Sequence, residues 1–181
     1  MSDQDKRERL VASGIGGGKP RKPLLPNLNN CGDIGLRIAR DGTWFYQDGP
    51  INRKPLVKLF ATVLRQEDNG FYLVTPVEKV PIAVEGEPFI AVEMIREGSG
   101  KDQRLSFRTN VDDVVTADDE HEIGFRAGAN GGHTPFVVVR DGLCAQLARP
   151  VYYELTELAV EADAVAGVWS GGTFFPFPVG D

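Results

Sequence analysis

The chain has 181 residues, 41% hydrophobic and 25% charged, with a formal net charge of −6. That length suits one domain or two small ones around a sizeable core. The acidic balance, with no basic block beyond the first residues, excludes a general nucleic-acid binder, and no apolar run approaches the roughly 20 residues of a membrane-spanning helix.

Residues 1–30 read as a flexible tail, crowded with Gly, Pro, Lys and Arg and without periodicity. The start has no apolar stretch of the secretory kind. Its "GIGGGK" invites a phosphate-loop reading, but no strand precedes it and Pro20 follows the lysine. The backbone amides that would have to face a phosphate are therefore not set up. Cys31 and Cys144 lie far apart with no CxxC. They read as free thiols of a reducing cytoplasm, with a long-range disulfide as the alternative.

An N-terminal α+β domain is expected over 31–84. "IGLRIA" is a strand, "RDG" a turn whose glycine supplies positive φ, and "TWFYQ" the return strand. Leu56, Leu59, Phe60, Val63 and Leu64 then fall on one apolar stripe at helical spacing. Asn52 is the expected N-cap, with Pro55 in the first turn, where proline is tolerated. "EDNG" is expected to end this helix, and "FYLVTP" to be the next strand.

A C-terminal, β-rich domain is expected over 85–181. "PFIAVEMI" alternates, with Ile90, Val92 and Met94 on one face, and pairs as a hairpin with "RLSFRT", where Leu105 and Phe107 oppose Arg104, Ser106 and Arg108. "DVVT" and "EIGFR" are weaker strands. Then the first pattern returns: "PFVVV", "RDG", "LCAQLA", and a helix with Val151, Leu155, Leu158, Ala159 and Ala162 on its stripe. Arg40-Asp41-Gly42 and Pro50 recur as Arg140-Asp141-Gly142 and Pro150, in the same order of elements. That order implies an α+β fold with an internally duplicated ββαβ unit and mostly antiparallel sheets.

No catalytic motif stands out. The acidic run "VDDVVTADDEHE" does not match the spacing of a calcium loop and reads as a solvated turn rather than a metal site. The only histidines are His121 and His133, and no Ser or Cys sits in a recognisable nucleophile context. Cys144, in a strand, reads as a small hydrophobe. The consecutive aromatics Trp44, Phe45 and Tyr46 cannot all face one core. A groove between the repeats, with aromatic walls and Arg or Lys, would hold a base and a phosphate. The candidate ligand-binding set is Tyr46, Arg53, Lys79, Arg108, Asn110, Tyr152 and Trp169.

The stretches "CGDIGLRIARDGTWFYQDGPI", "LVKLFATVLRQEDNGFYLVTPVEKVPI", "PFIAVEM", "LSFRTNVDD" and "RPVYYELTELA…GVWSGGTFFPF" together resemble a bacterial family numbered 1285 among the domains of unknown function, over nearly all of residues 31–178. The resemblance implies a duplicated two-domain α+β fold, its C-terminal part loosely like a pleckstrin-homology domain. It also implies a nucleotide-like ligand at the domain interface and a signalling role. Where that pattern often has Gly after "TNV", this chain has Asp112, whose carboxylate would weaken an anion site there. The expectation is a cytoplasmic, non-enzymatic binding module with no cofactor. A protein-interaction scaffold is the alternative, and a hydrolase using His133 or the acidic run ranks behind it.

Overall fold

The computed structural model describes residues 29–30, 32–68, 70–128 and 131–178. The "GIGGGK" stretch and Cys31 lie outside them. The N-terminal unit runs β1 (Asn29–Asn30), β2 (Leu36–Ile38), β3 (Trp44–Tyr46), β4 (Gly49–Pro50), α1 (Lys54–Val63), β5 (Leu64–Glu67), β6 (Gly70–Val74) and β7 (Glu78–Val84). Its sheet has the order β4-β3-β2-β7-β6-β5, with β1 beside β7. β2 and β7 run parallel, Arg37 opposite Ala83 and Ile38 opposite Val84, so the last strand of the unit closes on the first strand of its hairpin.

Helix α1 covers this sheet. Its Phe60 ring stacks on the buried Trp44 at 6.0 Å. The face packed on the core is Val57, Phe60, Ala61 and Val63, with Leu56 half-buried and Leu59 exposed. The expected stripe is thus shifted, because the helix stops at Val63. Leu64 turns to extended backbone (ψ 134°) while its N–H still bonds Ala61 O, and it opens β5 as a buried strand residue. "EDNG" is accordingly not a helix end: Glu67 pairs with Gly70 across the β5–β6 hairpin. The N-cap is Arg53, without a side-chain capping bond, rather than Asn52, and Pro55 sits in the first turn.

The C-terminal unit runs β8 (Phe89–Glu97), a 3-10 turn (Gly100–Asp102), β9 (Arg104–Thr109), β10 (Val114–Thr116), β11 (Ile123–Ala127), β12 (His133–Arg140), β13 (Leu143–Leu147), α2 (Arg149–Glu157), β14 (Val160–Ala162), β15 (Val165–Ser170) and β16 (Thr173–Pro176). Six strands form one sheet, β10-β9-β8-β13-β12-β11, and the last three form another, β14-β15-β16. In β9 the buried residues are Leu105, Phe107 and Thr109, as alternation requires. In β8 they are Phe89 and Ala91, with Val92 exposed. A register shift between Ala91 and Glu93 moves the inward phase onto Met94, because an extra residue in one strand reverses the faces beyond it. In α2, Val151 and Leu155 are buried, but the helix ends at Glu157, so Ala159 and Ala162 fall beyond it.

The fold is α+β with an internal duplication. Each copy is a hairpin closed by Arg-Asp-Gly, then a helix, then three strands: β2-β3-α1-β5-β6-β7 and β12-β13-α2-β14-β15-β16, with the two-residue β4 interposed in the first. The three-strand sheet of the second copy is latched to the β-rich sheet by buried Ser170. Its Oγ accepts from Leu105 N (2.9 Å) and donates to Ala117 O (2.7 Å).

Candidate binding sites on either side of helix α1

Two surfaces meet on α1. Lys54 and Lys58 are one turn apart, and both reach Asp112 of the C-terminal unit, Lys54 Nζ at 3.6 Å. Arg108 on β9 joins them, donating to Asp112 Oδ1 at 3.2 Å while its Nε donates to Glu93 at 2.6 Å. The turn that carries Asp112 is built by buried Thr109, whose Oγ1 accepts from Val111 N and Asp113 N. Asp112 itself has a left-handed φ of 66°, a conformation that aspartate tolerates better than most side chains. The Lys58 hydrogen bond, then the charge of Lys54 and the Arg108 contact, hold its carboxyl below the usual range.

Beside this ring, Arg140 crosses from the second copy to the first unit. Its guanidinium donates to Ala61 O at the end of α1 (2.7 Å), pairs with Asp113, and lies 5.2 Å from the centre of the Phe89 ring. Asn110 makes a second crossing. Its Oδ1 accepts from Ile90 N (3.0 Å), and its Nδ2 donates to Gly42 O (3.3 Å). Exposed ion pairs add little individually, but these contacts converge from α1, the β9–β10 turn and both Arg-Asp-Gly hairpins. Together they fix how the two units sit.

On another side of α1, Leu56 and Phe60 line a groove of about 510 Å³ with Ile34, Leu36, Tyr46, Gly49, Pro50 and Ile51. Tyr46 supplies the only side-chain hydroxyl in this lining. Arg53 lies in sequence between the lining residues Ile51 and Leu56, at the first turn of a helix with no acidic residue there.

The expected site residues divide. Tyr46 lines the groove, Arg53 is exposed at the N-cap of α1 outside that lining, and Arg108 and Asn110 are at the joint. Lys79 is elsewhere, paired with Glu67 and 4.1 Å over the Tyr72 ring. Tyr152 packs edge-on against Phe125 at 6.3 Å and stacks beside Tyr153. Trp169 sits 5.2 Å from Phe174, with Lys101 over its ring. The seven therefore do not line a single cleft. The aromatic side chains expected to wall the joint are engaged on α2 and on the three-strand sheet, away from it. Lys54, Lys58, Asp112 and Arg140 were not in the expected set. Their signals were present in the i,i+4 spacing of the lysines and in the recurrence of the tripeptide that contains Arg140.

The acidic run is divided as well. Asp112 and Asp113 serve the joint, while Asp118 accepts from the backbone N–H groups of Glu120 and His121 and from the His121 ring. Among the described residues, no group of three or more His, Cys, Asp or Glu is placed to hold a metal ion. Among them too, neither histidine makes a hydrogen bond to a Ser, Thr or Cys side chain. Cys144 is buried, but rather than serving only as a small hydrophobe its Sγ donates to Gly142 O (3.4 Å) and accepts from Arg126 (3.6 Å), and burial pushes its thiol up.

Two family models match the chain: "Domain of unknown function (DUF1285), N-terminal domain" over residues 26–87 and "Protein of unknown function (DUF1285), C-terminal domain" over 88–177. A crystal structure of a DUF1285 family protein from Silicibacter pomeroyi is 47% identical, with a TM-score of 0.79, covering 83% of this chain and 82% of that one. Another, from Shewanella baltica, is 25% identical with a TM-score of 0.53, covering 67% of this chain and 90% of that one. No curated protein matches.

Proposed function

The chain belongs to the DUF1285 family across both of its domains, and on that premise we propose that it is a non-enzymatic binding module for a small amphipathic anion. The observation that carries this reading is the groove beside α1, about 510 Å³ and lined almost wholly by apolar side chains. That volume is within the range of small-molecule sites, which are mostly apolar with a few polar groups that fix orientation. The ligand's apolar body lies against Leu36, Ile51, Leu56 and Phe60. Its anionic group meets the Tyr46 hydroxyl and Arg53. A nucleotide-like molecule remains one member of this class.

A signalling role follows from the position of α1. Leu56 and Phe60 face the groove, while Lys54 and Lys58 of the same helix hold Asp112 and the carbonyl of Ala61 holds Arg140. A ligand that shifts or stiffens α1 would change the joint, provided it favours one arrangement of the units over the other.

The test is a thermal-shift comparison of octyl phosphate, decanoate and a nucleotide panel. A ligand at about 100 times its dissociation constant stabilises by about 2.7 kcal/mol, which for a chain of this size moves the midpoint by roughly 5–11 °C. The expected result is a shift with the amphiphiles that is lost in Tyr46→Ala and reduced in Arg53→Ala. A nucleotide shift abolished by Lys58→Ala but not by Tyr46→Ala would move the site to the joint. No shift with any compound at millimolar concentration would overturn the reading.

A further inference from the structure

Two strand edges flank a cavity in the C-terminal unit, apart from the groove and the joint. β11 is an outermost strand of the six-stranded sheet and β16 of the three-stranded one. Between them is a space of about 510 Å³, bounded by Glu122–Phe125, His133 and Thr173–Pro178. Phe125 and Phe177 meet edge to face at 5.6 Å.

The register shows what the β11 edge offers. Val138 N donates to Glu122 O at 3.0 Å, and β11 continues antiparallel with Gly124 opposite Phe136 and Arg126 opposite Thr134. Bonded and non-bonded pairs alternate along such a ladder. Glu122, Gly124 and Arg126 therefore bond inward to β12. Ile123, Phe125 and Ala127 turn their N–H and C=O groups outward, to an edge on which no described strand pairs. Pro135, which has no N–H, stands opposite Phe125, as this phase allows.

Open edges are usually blunted by proline, by lysine or by a cover. β16 follows that rule. Ser170 and Thr173 close its hairpin and Phe177 N bonds Ala166 O, so Pro176 is among its outward residues. β11 contains neither proline nor lysine. Its one charged side chain, Arg126, is drawn to Glu87 and lies over the Phe136 ring.

The approach to β11 is acidic. Asp119, Glu120 and Glu122 lead into its first residue, and none of the three makes an ion pair with a described residue. Glu122 also bounds the cavity. A strand edge that no described strand covers, with apolar aromatics beside it and carboxylates unpaired among the described residues at one end, selects for a particular partner chemistry. We propose that the β11 edge docks an extended, basic segment of another protein, which joins the sheet as an added strand. Alternate apolar side chains of that segment lie against Phe125 and Phe177, and its Lys or Arg residues meet Glu120 and Glu122.

The experiment uses the full chain and a synthetic peptide alternating valine with lysine, long enough to span the five residues of β11. Binding is read by fluorescence anisotropy, and amide exchange by NMR. The expected result is binding that slows exchange at Ile123, Phe125 and Ala127. Gly124 and Arg126, already bonded to β12, are unchanged. N-methylation of alternate peptide amides should weaken binding about tenfold or more, since each lost charge-free hydrogen bond is worth about 1 kcal/mol. Ala127→Pro removes an outward N–H without touching the inward ladder and should weaken it too, and Glu122→Lys should do so several-fold. Binding that ignores N-methylation and leaves those three amides unchanged would overturn the proposal. So would self-association abolished by Ala127→Pro, because the occupant would then be a second copy, and so would the absence of peptide binding at millimolar concentration.

Discussion

The first and second copies of the repeated unit start alike and close differently. In the first, β7 returns beside β2, and one sheet contains the whole unit around α1. In the second, the other hairpin strand takes the parallel neighbour: β13, the counterpart of β3, lies beside β8, Ala145 opposite Phe89, while β12, the counterpart of β2, pairs with β11. Strands β14–β16 are then left to form a sheet of their own. Even the shared tripeptide folds in two ways. At Arg40-Asp41-Gly42, Gly42 N bonds Ala39 O and Ala39 N bonds Thr43 O, with only the glycine at positive φ (82°). At Arg140-Asp141-Gly142, both Asp141 (46°) and Gly142 (79°) are left-handed, and Arg140 pairs directly with Leu143. The second pattern is the tight two-residue hairpin turn, and the first carries one residue more. A repeated sequence thus specifies hairpin, helix and order, while the choice of strand partner belongs to the rest of the chain.

The sharpest test of that asymmetry compares the two arginines. Arg140 reaches Ala61 O, Asp113 and the Phe89 ring across the joint. Among the described residues, Arg40 makes only a hydrogen bond from its backbone, its N–H donating to Glu85 at 3.4 Å. Arg140→Ala should cost about 2 kcal/mol in urea denaturation, since it removes a charge-assisted bond, while Ala61 O keeps the bond from Leu64 N–H. Arg40→Ala should stay within about 0.5 kcal/mol, as is usual for surface changes. Equal effects would mean that Arg140 is not what couples the copies.

The same contrast marks what could be read from the chain. The β9 alternation and the turn glycines were legible because they rest on local rules: period two for a strand and φ > 0 for Gly. The phase of β8 was not, because the bulge near Val92 is fixed by pairing with β9. The end of α1 was missed because Leu64 continues the apolar spacing of a helix while being buried as a strand residue. Tyr46, Tyr152 and Trp169 were all placed by an assumed groove between the copies. Tyr46 instead lines a groove within the N-terminal unit, and Tyr152 and Trp169 pack on α2 and the three-strand sheet.

Glycine substitutions give a smaller contrast. An Ala side chain at position 42 would lie 2.7 Å from Asn110 Nδ2 and 2.8 Å from Ile90 Cγ1, whereas at position 142 the nearest atom is Gln66 Oε1 at 3.5 Å. Asn110 cannot move aside without giving up its bonds to Gly42 and Ile90. Gly142→Ala should cost about 1 kcal/mol, the strain of a left-handed backbone. Gly42→Ala should cost about 2 kcal/mol, with overpacking added. Thermal denaturation of the pair would show whether the first turn bears on the joint and the second does not.

The smallest effect separates two aspartates that are both held below the usual carboxylate range. Asp41 is lowered from within its own turn, chiefly by the hydrogen bond from Thr43 N. Asp112 is lowered across the joint, first by the Lys58 hydrogen bond and then by Lys54 and Arg108. A carboxyl with a depressed folded value stabilises above the unfolded value and loses that contribution as pH falls through the folded one. Asp112→Asn should therefore be less stable than the parent at neutral pH, and the two should converge in acid, below the ordinary carboxylate range. Because its partners are exposed side-chain charges, the neutral-pH difference should shrink in about 1 M salt. A difference for Asp41→Asn should be insensitive to salt, since a short backbone bond is not screened in that way. A salt-insensitive Asp112 difference would place its contribution in the left-handed turn itself rather than between the units, and the ring of cations would then be incidental to how the units are held.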